Sequence, residues 1–179
     1  MNIITRLLLV PILILTLGNA AFSQSPLEDP YKHYSDLKKK YSKENLPNLK
    51  FINQNGDKFD LASLKGKVVV INYWAFSCKP CIEEMPVLNQ LVDKYSDSVK
   101  FLSILSPGAF NITSETLAPK LAAFNFNYEH VATEDFIEDT FGLISAFPTH
   151  VVIDKEGNLT EIFWGVDPKL LEFRIKEGL

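Results

Sequence analysis

Val68-Val69-Val70-Ile71-Asn72-Tyr73-Trp74-Ala75-Phe76-Ser77-Cys78-Lys79-Pro80-Cys81-Ile82-Glu83-Glu84-Met85-Pro86 runs from an apolar, β-branched stretch through two cysteines into a helical pattern. Val68 to Trp74 is almost unbroken in apolar character, as in a strand covered on both faces of a parallel or mixed sheet. Ile82, Met85, Leu88, Val92 and Tyr95 recur every three or four residues, which predicts an amphipathic helix. Cys78 and Cys81 are the only cysteines in 179 residues, so the pair stands where a central strand ends and a helix begins.

That position favours thiol chemistry. Unpaired N–H groups and the positive end of the helix dipole stabilise an anion at a helix start, and a thiolate at Cys78 is such an anion. Lys79 adds a nearby positive charge, and Pro80 suits the first turn because its missing N–H costs nothing there. Cysteines at i and i+3 share a helix face, so Cys81 can reach a mixed disulfide formed at Cys78. Cys78 is thus expected to attack and Cys81 to resolve. Two other readings of the motif stand beside this one. An inert structural disulfide would close a loop too short to stabilise much, and a zinc knuckle wants four ligands where this chain has one cysteine pair. His33, His130 and His150 are scattered with no ligand spacing, and each reads as an ordinary exposed or hydrogen-bonded histidine.

Outward from the motif, Val99–Leu105 is a second core strand, and strand, helix, strand make a βαβ unit. Upstream, Leu49–Ile52 and Lys58–Leu61 flank an Asn55-Gly56 turn signal and predict a hairpin. Downstream, Thr113–Phe124 and Glu134–Thr140 are expected to be helical. Thr149–Ile153 and Asn158–Phe163 form a second hairpin around an Asp154–Gly157 turn, and Pro168–Glu177 closes the chain as a helix. Ser25 to Asn45 is polar, but Tyr31, Tyr34, Leu37 and Tyr41 have helical spacing; residues 24–45 read as a linker or a short packed helix.

Residues 1–23 read as a secretory signal peptide. Arg6 precedes the uncharged stretch Leu7–Leu17, small residues follow, and cleavage fits after Ala20 or after Ser23. The stretch is short for a membrane span, with an uncleaved N-terminal anchor as the other reading. Either way residues 46–179 form one domain outside the cytoplasm, where a disulfide can persist. The net charge of −4 and the lack of a basic, aromatic-interleaved stripe speak against nucleic acid as a partner. Lys38-Lys39-Lys40 reads as a solvated helix face.

The segment Gly66–Ala75, followed by Cys78-Lys79-Pro80-Cys81 and Glu84-Met85-Pro86, resembles the exported TlpA/ResA-like branch of the thioredoxin superfamily. Phe147-Pro148-Thr149, followed by Val151-Val152-Ile153-Asp154 and Gly157, is similar to that family's second landmark. The resemblance spans Leu46 to Lys176. It implies an α/β thioredoxin fold, a central mixed sheet flanked by helices with an added N-terminal β-hairpin. It also implies a periplasmic thiol–disulfide oxidoreductase using a Cys78–Cys81 disulfide, with no cofactor or metal, acting as a monomer. Its partners would be disulfide- or thiol-containing exported proteins and a membrane-bound electron donor, and the family leans toward reduction.

Further roles follow from the resemblance. Pro148 matches the family's cis-proline, and an X–Pro bond is the one peptide bond where cis costs only about 0.5–1 kcal/mol; an ordinary trans proline preceding a strand is the alternative. Phe147 and Pro148, with Lys79, Pro80 and Trp74, are the expected substrate contacts; an extended partner segment can pair with backbone at Phe147. Glu84 matches a family glutamate and shares a helix face with the cysteines, where it could take the proton of Cys81; a solvated surface glutamate is the plainer alternative. Pro86 is expected to kink the helix. Cytosolic thioredoxins have an aspartate where this chain has Asn72, the family's frequent tryptophan is Ser77, and Phe141–Ala146 is one residue longer than usual. A non-catalytic binding module, such as a copper metallochaperone, is the alternative function; a peroxiredoxin is disfavoured because no separate peroxidatic cysteine exists.

Overall fold

A computed structural model describes residues 30–41, 44–106, 121–133, 140–141, 144 and 146–179. In chain order these give helix α1 (Pro30–Tyr41), strands β1 (Lys50–Asn53) and β2 (Lys58–Asp60), a 3-10 turn (Leu61–Leu64), strand β3 (Val68–Trp74) and helix α2 (Lys79–Tyr95). Strands β4 (Val99–Leu105), β5 (Glu129–Thr133), β6 (Thr149–Ile153) and β7 (Leu159–Trp164) and helix α3 (Pro168–Gly178) follow. One mixed sheet runs β2-β1-β5-β4-β3-β6-β7. The β3–β4 and β4–β5 pairs are parallel and the other pairs antiparallel. The helices flank this sheet and the β1–β2 hairpin extends one edge, as the resemblance implies.

The period of the strand sorts its side chains between two cores. All seven residues of β3 are buried, and each fully buried aliphatic side chain stabilises the fold by about 1.5–3 kcal/mol. Val68 and Val70 face α2 and α3, where Leu88, Leu91, Phe101, Val152, Leu171 and Ile175 fill one cluster. Val69, Ile71 and Tyr73 face the other way, against Tyr34, Leu37 and Tyr41 of α1. A one-residue slip would exchange these two sets, so the register is strongly specified. Between α2 and α3, Lys94 Nζ and Tyr95 Oη donate to Glu172 at 2.7 and 2.8 Å. Those bonds, with Lys176, hold the Glu172 carboxyl down at about 2.

Within the segment before the first strand, Pro30–Tyr41 forms the packed helix α1. Tyr34, Leu37 and Tyr41 fall on one side of α1 and bury against the sheet. Its polar tips reach the segment leading into β6. His33 Nε2 donates to the Phe141 carbonyl at 2.7 Å, Tyr41 Oη donates to the Thr140 carbonyl at 3.0 Å, and Tyr34 Oη bonds Thr149 Oγ1 at 3.2 Å.

Two differences from the sequence reading have physical causes. Strand β5 was not expected. Its approach, Phe124-Asn125-Phe126-Asn127-Tyr128-Glu129-His130, alternates aromatic and polar residues, which is strand periodicity without the usual apolar run. The buried side of α2 is also rotated: Ile82 is exposed, while Cys81, Glu84, Met85, Leu88 and Leu91 face inward. The 3.6-residue period admits either face, and the sheet beneath selects the one carrying Cys81. Helix α2 runs through Pro86, whose missing N–H leaves the Ile82 carbonyl without its helical donor on the exposed side. In the first hairpin the Asn53–Asp57 turn closes through Gly56 at φ 88°, a conformation that favours glycine. The expected signal peptide over 1–23, the helix from Thr113 as far as residue 120, and the short helix from Glu134 as far as residue 139 lie outside the described residues. Among the described residues no helix is long and apolar enough to cross a membrane.

Candidate active site

Helix α2 begins at the cysteines. Cys78 is its N-cap, Lys79 and Pro80 open the first turn, and Cys78 Sγ accepts the Cys81 N–H at 3.2 Å. The two sulfurs form a disulfide across Cα atoms 5.3 Å apart. Cys78 is partly exposed whereas Cys81 is buried. Solvent and a partner can therefore approach one sulfur far more readily than the other. The N–H groups and dipole of the first turn point at Cys78, favouring negative charge there. Lys79 is exposed, and its ammonium lies 3.5 Å from Glu83 on the next turn. Pro80 is exposed beside it.

Aromatic side chains support the sulfurs from below and from the side. Trp74, Cys81, Met85 and Leu121 form one buried cluster, with Phe76, Cys78, Leu105, Phe124, Phe126 and Phe147 packed against it. Trp74 meets Phe76, Phe124 and Phe126 with ring centroids 5.2, 5.3 and 5.3 Å away. Trp74, expected among the substrate contacts, does not reach the surface. Its side chain is 0% exposed, because the apolar run ends inside the core, and it supports the disulfide rather than lining the surface.

Phe147 and Pro148 come to this cluster from the far side of the sequence. The Phe147–Pro148 peptide bond is cis. Phe147 is half-buried and stacks on Tyr73 at 5.7 Å. Pro148 is buried, its carbonyl accepting the Gly165 N–H at 2.8 Å. Thr149 Oγ1 donates to the Ala146 carbonyl at 2.8 Å and also meets Tyr34 of α1. The loop is thus held from β7 on one side and from α1 on the other.

Glu84 is not a surface residue: it is 1% exposed and turned beneath α2. There it meets a polar row across the sheet. Register places His130 of β5 beside Ser103 of β4, Ser103 beside Asn72 of β3, Asn72 beside His150 of β6, and His150 beside Phe163 of β7. His150 is fully buried; its Nε2 and Glu84 Oε2 share a hydrogen bond of 3.1 Å, and its ring lies 5.0 Å from that of Phe163. Burial raises the Tyr128 phenol well above its usual range, and the charge of Glu84 raises it further. Burial pushes the His130 imidazole down to about 4, so it is uncharged at neutral pH. Its ring stands edge-on to Phe126 at 4.2 Å.

His150 is the site residue that sequence reasoning passed over. A signal was present: a histidine inside the otherwise apolar run Thr149–Ile153, two residues after Pro148. Its meaning depends on the β3–β6 register, which brings it opposite Asn72 and under Glu84. Among the described residues no group of three or more His, Cys, Asp or Glu could hold a metal ion.

The sequence profile of the Redoxin family matches residues 41–176. The thiol-disulfide oxidoreductase ResA of Bacillus thuringiensis is 31% identical over 139 residues, covering 76% of this chain and 77% of that protein. The thioredoxin-like protein YneN of Bacillus subtilis is 29% identical over 132 residues, covering 70% of this chain and 73% of its own. Among solved structures, the exposed lipoprotein thioredoxin of Streptococcus pneumoniae superposes with a TM-score of 0.63 at 24% identity. It covers 73% of this chain and 99% of that one.

Proposed function

The chain belongs to the Redoxin family and is a thiol–disulfide oxidoreductase whose partners are thiol- or disulfide-containing proteins, and from that premise we propose that it is exported and reduces disulfides of other exported proteins. The observation that carries this reading is the disulfide capping α2, with Cys78 partly exposed and Cys81 buried, beside Phe147 on the same cluster. In this reading residues 1–23 are the secretory signal, with α1 and residues 46–179 as the exported body. A membrane-bound donor returns electrons to the pair, and a monomer suffices.

The exchange runs in two steps. The reduced protein's Cys78 thiolate attacks a partner disulfide; one Cys78–partner S–S bond forms, the partner's own S–S bond breaks, and its leaving sulfur departs as a thiolate. Cys81 then loses its proton and attacks Cys78 Sγ. The Cys78–Cys81 bond forms, the mixed disulfide breaks, and the second partner sulfur leaves as a thiolate. Two electrons have passed to the partner, and its thiolates take up protons. The backbone N–H and helix dipole at Cys78 support the first step by stabilising its thiolate. Phe147, with the exposed Lys79 and Pro80, presents the surface on which an extended partner segment docks, while Pro148, expected as a contact, is buried and sets the course of that loop from beneath.

Glu84 is the acceptor for the Cys81 proton. It lies one helical turn from Cys81, buried on the same side of α2. Glu84→Gln should slow exchange by about tenfold or more and change its pH profile, since positioned acid–base groups are worth at least that much. Glu83→Gln, on the exposed side, should leave both unchanged. Identical profiles for the two variants would remove Glu84 from the mechanism.

Direction is tested by equilibrating the protein against glutathione and measuring its reduction potential. The reductant reading expects a value below roughly −200 mV, toward the thioredoxin end of the range. A value near roughly −120 mV, where strong dithiol oxidants lie, would overturn it.

A further inference from the structure

We propose that His150 is a positioning residue for Glu84: by donating Nε2–H to Oε2 it stabilises the carboxylate and turns it so that Oε1 remains available to the Cys81 proton. This rests on the reading of Glu84 as the proton acceptor and extends it to a residue in another element, two positions after Pro148.

Three observations point the same way. First, the pair is buried at 1% and 0% exposure, and among the described residues Glu84 Oε1 and His150 Nδ1 have no hydrogen-bond partner. A buried acid–imidazole pair with atoms left unbonded is a poor stabilising device, because apolar side chains of similar volume would serve as well or better. Polar groups kept in that condition call for a reason in chemistry. Second, a lone carboxylate in this setting would be strongly disfavoured in its charged form. His150 is the side chain that the structure places in hydrogen-bond contact with Glu84. Third, the imidazole is itself fixed, its ring beside Phe163 and its strand paired with β3 through Asn72. It can therefore orient the carboxylate instead of following it.

Other groups on this side of the sheet compete little for that role. From α2 there is Cys81, which in the reduced protein supplies the proton. Tyr128, ahead of β5, keeps its proton because of burial and the Glu84 charge. His130 on β5 is uncharged above about 4. Asn72 and Ser103 between the two histidines are polar but do not titrate in the working range. Toward β7 and α3, Glu161 is paired with Arg174 at 2.8 Å, and Glu172 is held by Lys94 and Lys176. The hydrogen bonding of the Glu84 carboxyl therefore depends on His150.

The test follows the resolving step as the reduced full chain reacts with oxidised glutathione, over a range of pH. His150→Phe should slow that step about tenfold near neutral pH. It should also move the pH profile upward, because a carboxylate stripped of its donor forms less readily. His150→Gln retains an N–H donor and should restore the rate to within about threefold. A His150→Phe profile superimposable on wild type, with Glu84→Gln still altered, would overturn the role of His150 alone. If Glu84→Gln also matched wild type, the reading of Glu84 itself would fall. A second measurement needs no substitution at His150: nitrogen NMR of its imidazole in wild type and in Glu84→Gln. The expected result is a changed Nε2 chemical shift for His150 in the variant, since its hydrogen-bond partner is altered, and an unchanged one overturns the proposal.

Discussion

Cys78→Ser is expected to abolish exchange, by more than about a thousandfold, while Cys81→Ser stalls it after the first step with the partner still attached. The reason is the asymmetry of the two sulfurs. Cys78 is partly exposed, caps α2 and receives the Cys81 N–H, whereas Cys81 is buried with Trp74 and Met85. A hydroxyl at position 78 supplies no thiolate near neutral pH, and Cys81 cannot substitute because a partner disulfide has no path to it. In Cys81→Ser the attacking sulfur remains, so mixed disulfides should accumulate and run as adducts on non-reducing gels. Turnover with oxidised glutathione and the adduct pattern together check the assignment. Full activity in Cys78→Ser, or adducts that form through Cys81 when Cys78 is absent, would reverse the two roles.

Trp74→Ala should be the most damaging single change to stability. The side chain is fully buried where β3 meets the cysteine helix, packed against Cys81, Met85 and Leu121 and ringed by Phe76, Phe124 and Phe126. Removing a buried aromatic leaves a cavity that its neighbours fill only in part, at a cost of about 3–5 kcal/mol. Against a typical total of about 5–15 kcal/mol, that is a large share. Urea unfolding should show a much lower midpoint for Trp74→Ala. Trp164→Ala, at a side chain 39% exposed, should change the midpoint far less. Equal midpoints for the two would mean that the aromatic cluster does not stabilise the junction as described. Because the cluster also seats the disulfide, Trp74→Ala should slow exchange even in the fraction that remains folded.

Legibility in the sequence followed the physics of each element. Strands β3, β4 and β6 were readable because they are buried on both faces and so carry apolar, β-branched runs. The β1–β2 turn was readable because Asn55-Gly56 supplies the backbone conformation the turn needs. Strand β5 was not, since Glu129 bonds Asn53 of β1 and His130 joins the polar row, which dilutes the apolar signal. The buried face of α2 lies one position away from the one its apolar period suggests. Ile82 is as apolar as any residue there, yet it is Glu84 that turns inward, and no hydropathy pattern favours burying a carboxylate. Only a partner across the fold makes that burial tolerable, and His150 lies 66 residues further along the chain.

The two cysteines, their spacing and their place between an apolar strand and a helix were determined by the sequence alone, because those are local properties: side-chain period, capping and the dipole of the first turn act within a few residues. The tertiary structure decided which sulfur is sheltered, that Trp74 is a support and not a contact surface, and that Glu84 and His150 meet under α2. These depend on strand register and on helix rotation over the sheet, which are set by many weak contacts between distant segments.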